Sequence, residues 1–198
     1  MESARLRTIA GLLFLIAGAL ILLGIITGEA VYPASYRTHW NTISDLGGMR
    51  PPLRIVRQPS ATIFNATMIV TGPLIVAGGI LLQRAVRRPV VTVPVGLLGA
   101  GILGVGLFPG NTDPHPLFAL FTFLAGGIAA AVSYQIVTVP LRYVCLALGI
   151  VSLASLGAGL FLLNWGPVAE LGEGGIERWI AYPVVLWLVG FGGYLTHR

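Results

Sequence analysis

The chain has 198 residues, 56% of them hydrophobic and only 10% charged, with a mean hydropathy of +0.87. A soluble domain carries about 25% charged residues, so this composition excludes one and calls for long lipid-facing segments. A net charge of +5 would suggest nucleic acid in a soluble chain. In a membrane protein it marks loops that set orientation and meet anionic head groups, so membrane lipids are the expected partner and nucleic acid is not.

Six apolar runs reach the ~20 residues a helix needs to cross the hydrocarbon core. The first covers residues 8–28, behind Arg5 and Arg7. It is longer than the apolar region of a signal peptide and no small-x-small cleavage site follows, so it reads as a retained helix. A polar connection from Glu29 to Ser60 carries His39, Ser44, Asp45, Arg50, Arg54 and Arg57. The second run, 61–82, contains Pro73, where a kink is expected. A basic turn with Arg84, Arg87 and Arg88 leads to the third run, 90–109. There Gly96, Ala100 and Gly104 place small residues every four positions, which predicts a closely packed neighbouring helix.

A short turn holding Asp113 and His115 opens the fourth run, 116–137, and the fifth covers 141–163. An acidic, glycine-rich connection from Glu170 to Gly175 then precedes the sixth, 176–196, which begins with Glu177 and Arg178. The expected fold is all-α, one domain of six membrane-spanning helices over residues 1–198. The lone cysteine, Cys145, rules out an internal disulfide and a dithiol pair. All twelve basic residues are arginine, as codon bias in a GC-rich genome would produce.

Alternating crossings put the first, third and fifth connections on one side, which collects His39, Asp45, Asp113, His115, Glu170, Glu173, Glu177 and Arg178. Arginines near the helix ends divide seven (Arg5, Arg7, Arg84, Arg87, Arg88, Arg142 and Arg198) against five (Arg37, Arg50, Arg54, Arg57 and Arg178). The rule that positive loops stay inside then predicts a multi-pass protein of the cell membrane with cytoplasmic termini and the acidic side outside.

Each candidate on that side has two readings. Ser44 and Asp45 cap a turn, or Asp45 faces a head group with Ser44 as its hydrogen-bond partner. Asp113 meets a positive helix N-terminus, or works beside His115 in acid–base chemistry. Glu177 and Arg178 form interfacial ion pairs toward Asp45 or Arg50, or serve catalysis. Arg50, Arg54 and Arg178, with His39, hold a lipid phosphate or only fix the loops. Asp-Pro-His is no standard metal spacing, and neither a metal nor a cofactor is expected. There is no HExxH, P-loop, CxxC or Gly-x-Ser-x-Gly motif. The helix interiors carry no acid, which counts against an ion or proton carrier.

Several segments, in this order, resemble a family of six-helix prokaryotic integral membrane proteins of unknown function. They are Ile43-Ser44-Asp45-Leu46-Gly47, Ile63-Phe64-Asn65, Gly106-Leu107-Phe108-Pro109 with His115 after it, and Glu177. The Ile-Ser-Asp stretch is also similar to one in eukaryotic membrane proteins linked to autophagy and glycolipid-anchor remodelling. The resemblance implies architecture and a choice of residues, not a reaction. The leading expectation is a lipid-binding or head-group-modifying protein with Asp113, His115, Asp45 and Glu177 as its reactive groups. A non-catalytic assembly protein, paired with itself or another membrane protein, is the alternative, and a small-solute transporter comes third.

Overall fold

The computed structural model describes residues 2–197; Arg198, one of the arginines that bear on orientation, lies outside them. Six helices span the chain: α1 (Glu2–Ala30), α2 (Ser60–Val86), α3 (Pro89–Leu107), α4 (His115–Val132), α5 (Leu141–Phe161) and α6 (Gly166–Thr196). All six are long and apolar enough to cross a membrane. Single 3-10 turns lie at Ser44–Leu46 and, finishing α4, at Ser133–Gln135. Among the described residues there is no strand.

The helices are not equivalent. Helices α1, α2, α3, α4 and α6 each pack against the next, and contacts between α4 and α6 close them into a ring. Helix α5 packs on α4 and α6 alone, covering the crease between them from outside. The core is the inside of this ring, where Phe14, Phe191 and Trp187 stack with centroids 5.9 and 5.2 Å apart. Trp187 donates its indole N–H to Ser133 Oγ at 2.9 Å, which satisfies the polar edge of a fully buried ring.

Small residues set the helix spacing, only partly along the expected row. Helices α2 and α3 touch backbone to backbone at Gly72 and Gly99: a Cβ on Gly99 would lie 2.8 Å from Gly72 O and from Val76 N. Against α4, Gly104 lies under the Phe118 ring. The Gly96 backbone lies 3.5–3.7 Å from where a Cβ on Gly79 of α2 would stand, while Ala100 is exposed, so one of the three predicted contacts is absent. The four-residue repeat is real, but its middle member faces outward. Because α3 is apolar on every side, the repeat carried no information about which face was inner.

The start of α6 also differs. The stretch 170–175, expected as a loop, is helical, and α6 starts at Gly166. The helix breaks only at Gly172 (φ 67°, ψ 173°), a left-handed conformation open to glycine. The break turns the Gly174 N–H toward His39 O at 3.1 Å, binding the first connection to α6. Helix α2 runs from Ser60 to Val86 with Pro73 inside it.

Candidate functional site

The connections before α2, α4 and α6 meet at one end of the bundle. Gly48 packs on Asn111, Gly172 on His39, and Arg50 and Arg54 reach across to Glu173 and Asp113. This polar end is organised around the turn at residues 42–46. Thr42 N–H donates to Asp45 Oδ2 at 3.1 Å while Asp45 N–H donates to Thr42 Oγ1 at 3.2 Å. Such a reciprocal exchange satisfies two of the donors that a helical turn leaves unpaired at its start. Asn41 Nδ2 adds a third bond to Asp45 at 3.3 Å.

The next two donors, Ile43 N–H and Ser44 N–H, point at Glu177 Oε2 on α6, the latter at 3.4 Å. Ser44 Oγ donates to Glu177 Oε1 at 2.7 Å. Glu177 is thus a buried carboxylate that caps a turn more than 130 residues away in sequence. The turn is sealed below by Leu46, fully buried, and Ser60 Oγ donates to Leu46 O at 3.3 Å. Asn65 Nδ2 donates to Gly47 O at 3.2 Å. The residues of the Ile-Ser-Asp-Leu-Gly stretch, Asn65 and Glu177 therefore form one bonded cluster.

His115 belongs to the neighbouring turn. Its Nδ1 lies 2.8 Å from Phe108 O, and since a carbonyl only accepts, Nδ1 carries the proton. Nε2 is buried with no protein partner. Asp45 is the acid close enough to act electrostatically on this imidazole. Asp113, two residues away, does not join the cluster: it is exposed and pairs with Arg54 at 2.5 Å, an arrangement worth under about 1 kcal/mol. Arg54 also donates to Asn111 O at 2.9 Å. Arg50 pairs with Glu173. His39 stacks edge-on against Trp40, 4.5 Å between centroids.

Arg178 points away from Glu177, as adjacent residues on a helix do. Its Nη1 donates to Thr38 O, Asn41 O and Gly174 O at 2.9, 3.0 and 2.7 Å. Its Nη2 donates to Glu29 Oε1 at 2.6 Å and Tyr36 Oη at 2.8 Å. Burial pushes the Tyr36 phenol above its ordinary range, which keeps its proton for Thr42 O at 2.8 Å. Glu29 and Tyr36 were not among the residues singled out from sequence. Glu29 did carry a signal: a carboxylate in the last turn of a helix meets the negative end of its dipole and needs a cation nearby. Asn65, on α2, holds the turn. Among the described residues no three of His, Cys, Asp and Glu converge as a metal site would require.

Two voids adjoin the cluster. One, roughly 80 Å³, lies inside the ring between α1, α2, α3, α4 and α6; its surface is apolar, although Ser44 and Glu177 border it. The other, about 330 Å³, is a lateral groove between α4, α5 and α6 with Arg50, Thr42 and Glu173 on its rim. Ala119, Phe123 and Glu177 line both, and stand between them.

A family model described as "Protein of unknown function (DUF998)" matches residues 15–194. No curated protein and no solved structure matches the chain.

Proposed function

We propose that this chain, which belongs to the DUF998 family of proteins of unknown function, is a membrane-embedded lipid-binding protein with its site at the polar end. The observation that carries this is the lateral groove. Its walls, Leu120, Phe123, Leu156 and Leu160 among them, are apolar, while charged and hydroxyl groups gather only at its outer rim. That division matches a lipid, with tails at hydrocarbon depth and a head at the interface. Binding without chemistry is the favoured form. Asp113, Arg50, Arg54 and Arg178 are already paired in the fold, and Glu177 is committed to the turn. Modification of a head group by Asp45 and His115 is the second reading, favoured by the free Nε2 of His115.

The test is native mass spectrometry of protein extracted from its membrane. Leu120→Trp and Leu160→Trp, which fill the groove, should each reduce co-purified lipid at least several-fold. Ile150→Trp, on the outward face of α5, should not. Equal lipid on all three variants would remove the groove as the site.

On orientation, the surplus of arginines at the end bearing Arg84, Arg87 and Arg88 supports cytoplasmic termini and a non-cytoplasmic polar end in the cell membrane. Leu53→Cys and Ser3→Cys place exposed thiols at opposite ends, and native Cys145 is buried. An impermeant maleimide applied to intact cells should label position 53 alone. Labelling of position 3 alone would invert the topology.

A further inference from the structure

We propose that the end of the bundle opposite the polar cluster carries a separate site for one anionic phospholipid. Its phosphate lies on Arg84 and Arg87, and an acyl chain lies in the outer crease between α2 and α3. This site shares no residue with the groove at the polar end and does not depend on it.

The crease is open where a packed helix pair would be filled. Gly79 lets α2 approach the Gly96 backbone of α3, so the two helices are close there. A Cβ on Gly96, in contrast, would meet nothing within 4 Å, so no protein atom requires that position to be empty. What it leaves is a groove of about 500 Å³ between the two helices. Val76, Ile80, Val93 and Leu97 line it, and the last three are large apolar side chains exposed to the outside. The surface is apolar, as an acyl chain requires.

The head-group end is built differently. A wider groove of about 630 Å³ lies between the start of α1 and the end of α2, lined by Glu2, Ser3, Leu6, Gln83, Arg84 and Arg87. Its surface is largely polar. Gln83 and Arg84 border the crease as well, and Val76 lies about 12 Å further down α2 at 1.5 Å per residue. Both grooves lie on the outside of the bundle. A lipid therefore rests along them and crosses no part of the fold.

Charge selects the head. The ion pairs among the described residues all lie at the polar end, and none includes Arg84 or Arg87. This end carries Arg5, Arg7, Arg84, Arg87 and Arg88 against one acid, Glu2. Arg87 also stands in the left-handed region (φ 50°) at the C-terminal cap of α2, where glycine is the ordinary choice. The helix end gives no local reason for a guanidinium there. A phosphodiester answers both arginines through charge-assisted hydrogen bonds. Basic pockets of this kind, between membrane helices at the interface, suit anionic head groups. A zwitterionic head brings an ammonium among these arginines, which repel it.

The test uses the full chain in phosphatidylcholine nanodiscs doped with one of two probes, phosphatidylglycerol or phosphatidylcholine. Both carry the same diazirine-bearing acyl chain, and cross-links are mapped by peptide mass spectrometry. Phosphatidylglycerol should label Ile80 and Leu97 about ten-fold above phosphatidylcholine. Around Ile150, on the outward face of α5, the two probes should label alike. Replacing Arg84 and Arg87 together by glutamine should bring phosphatidylglycerol down to the phosphatidylcholine level. Gly96→Phe, which builds into the open crease, should reduce labelling of Ile80 several-fold and leave Ile150 unchanged. Val93→Trp is a second obstruction in case the first variant does not fold. Excess inorganic phosphate should not displace the lipid, whose chain holds it as well as its head. Equal labelling of Ile80 by both probes, or the same preference at Ile150, overturns the proposal. So does a preference that survives the double arginine variant, or labelling of Ile80 that survives both obstructions. Complete displacement by inorganic phosphate also overturns it, and marks a site for a free anion. None of these results bears on the groove at the polar end.

Discussion

Replacing Arg178 by alanine should cost about 3–5 kcal/mol, the range for breaking a buried ion pair by deleting one partner. The guanidinium is largely buried, and it gathers three backbone carbonyls, a carboxylate and a phenol from α1, α6 and the first connection. Without it, Glu29 is left as an uncompensated charge and the loop carbonyls lose their donor. Arg178→Lys keeps the charge but not the planar fork, so most of the loss should persist. Thermal unfolding in detergent measures the cost, and hydrogen exchange should show residues 36–48 opening first. Equal melting of parent, alanine and lysine variants would refute the clamp. The pH dependence has a definite sign. Tyr36 binds its proton more tightly folded than unfolded, so its contribution is complete below its ordinary pKa of about 10 and declines as pH rises beyond it.

Gly99→Leu should be the next most damaging change, and Ala100→Leu should be nearly silent. A side chain at Gly99 meets backbone on α2, which cannot rotate aside as a side chain can. Overpacking of a fitted core costs roughly 1–3 kcal/mol, and immovable neighbours place this case at the upper end. Ala100, about 100° further round the same helix, is exposed, and there substitutions stay within about 0.5 kcal/mol. Melting temperatures and extraction yields of the two variants, measured together, decide the matter. If Ala100→Leu is the worse of the pair, α3 is rotated from the face described above.

Each of the six spans was legible in the sequence because a bilayer imposes a length and an apolarity that few other environments require. So was the gathering of polar connections at one end, since alternation follows from counting crossings. A capping role for Asp45 could also be read, because a short carboxylate satisfies the donors of a nearby turn in any fold, but its reciprocal partner is Thr42 and the Ser44 hydroxyl goes to Glu177 instead. Tertiary structure decided the rest. Glu177 and Arg178 stand side by side in the chain, yet one caps a distant turn and the other clamps α1, a choice made by the rotation of α6. That rotation, the inner face of α3 and the placement of α5 outside the ring have no sequence signature here. In a soluble helix the apolar stripe marks the core, but here lipid and core are both apolar, and the contrast that would orient each helix is missing. Packing of particular glycines against particular backbones supplies the orientation instead. The voids beside Glu177 exist only once that packing is complete.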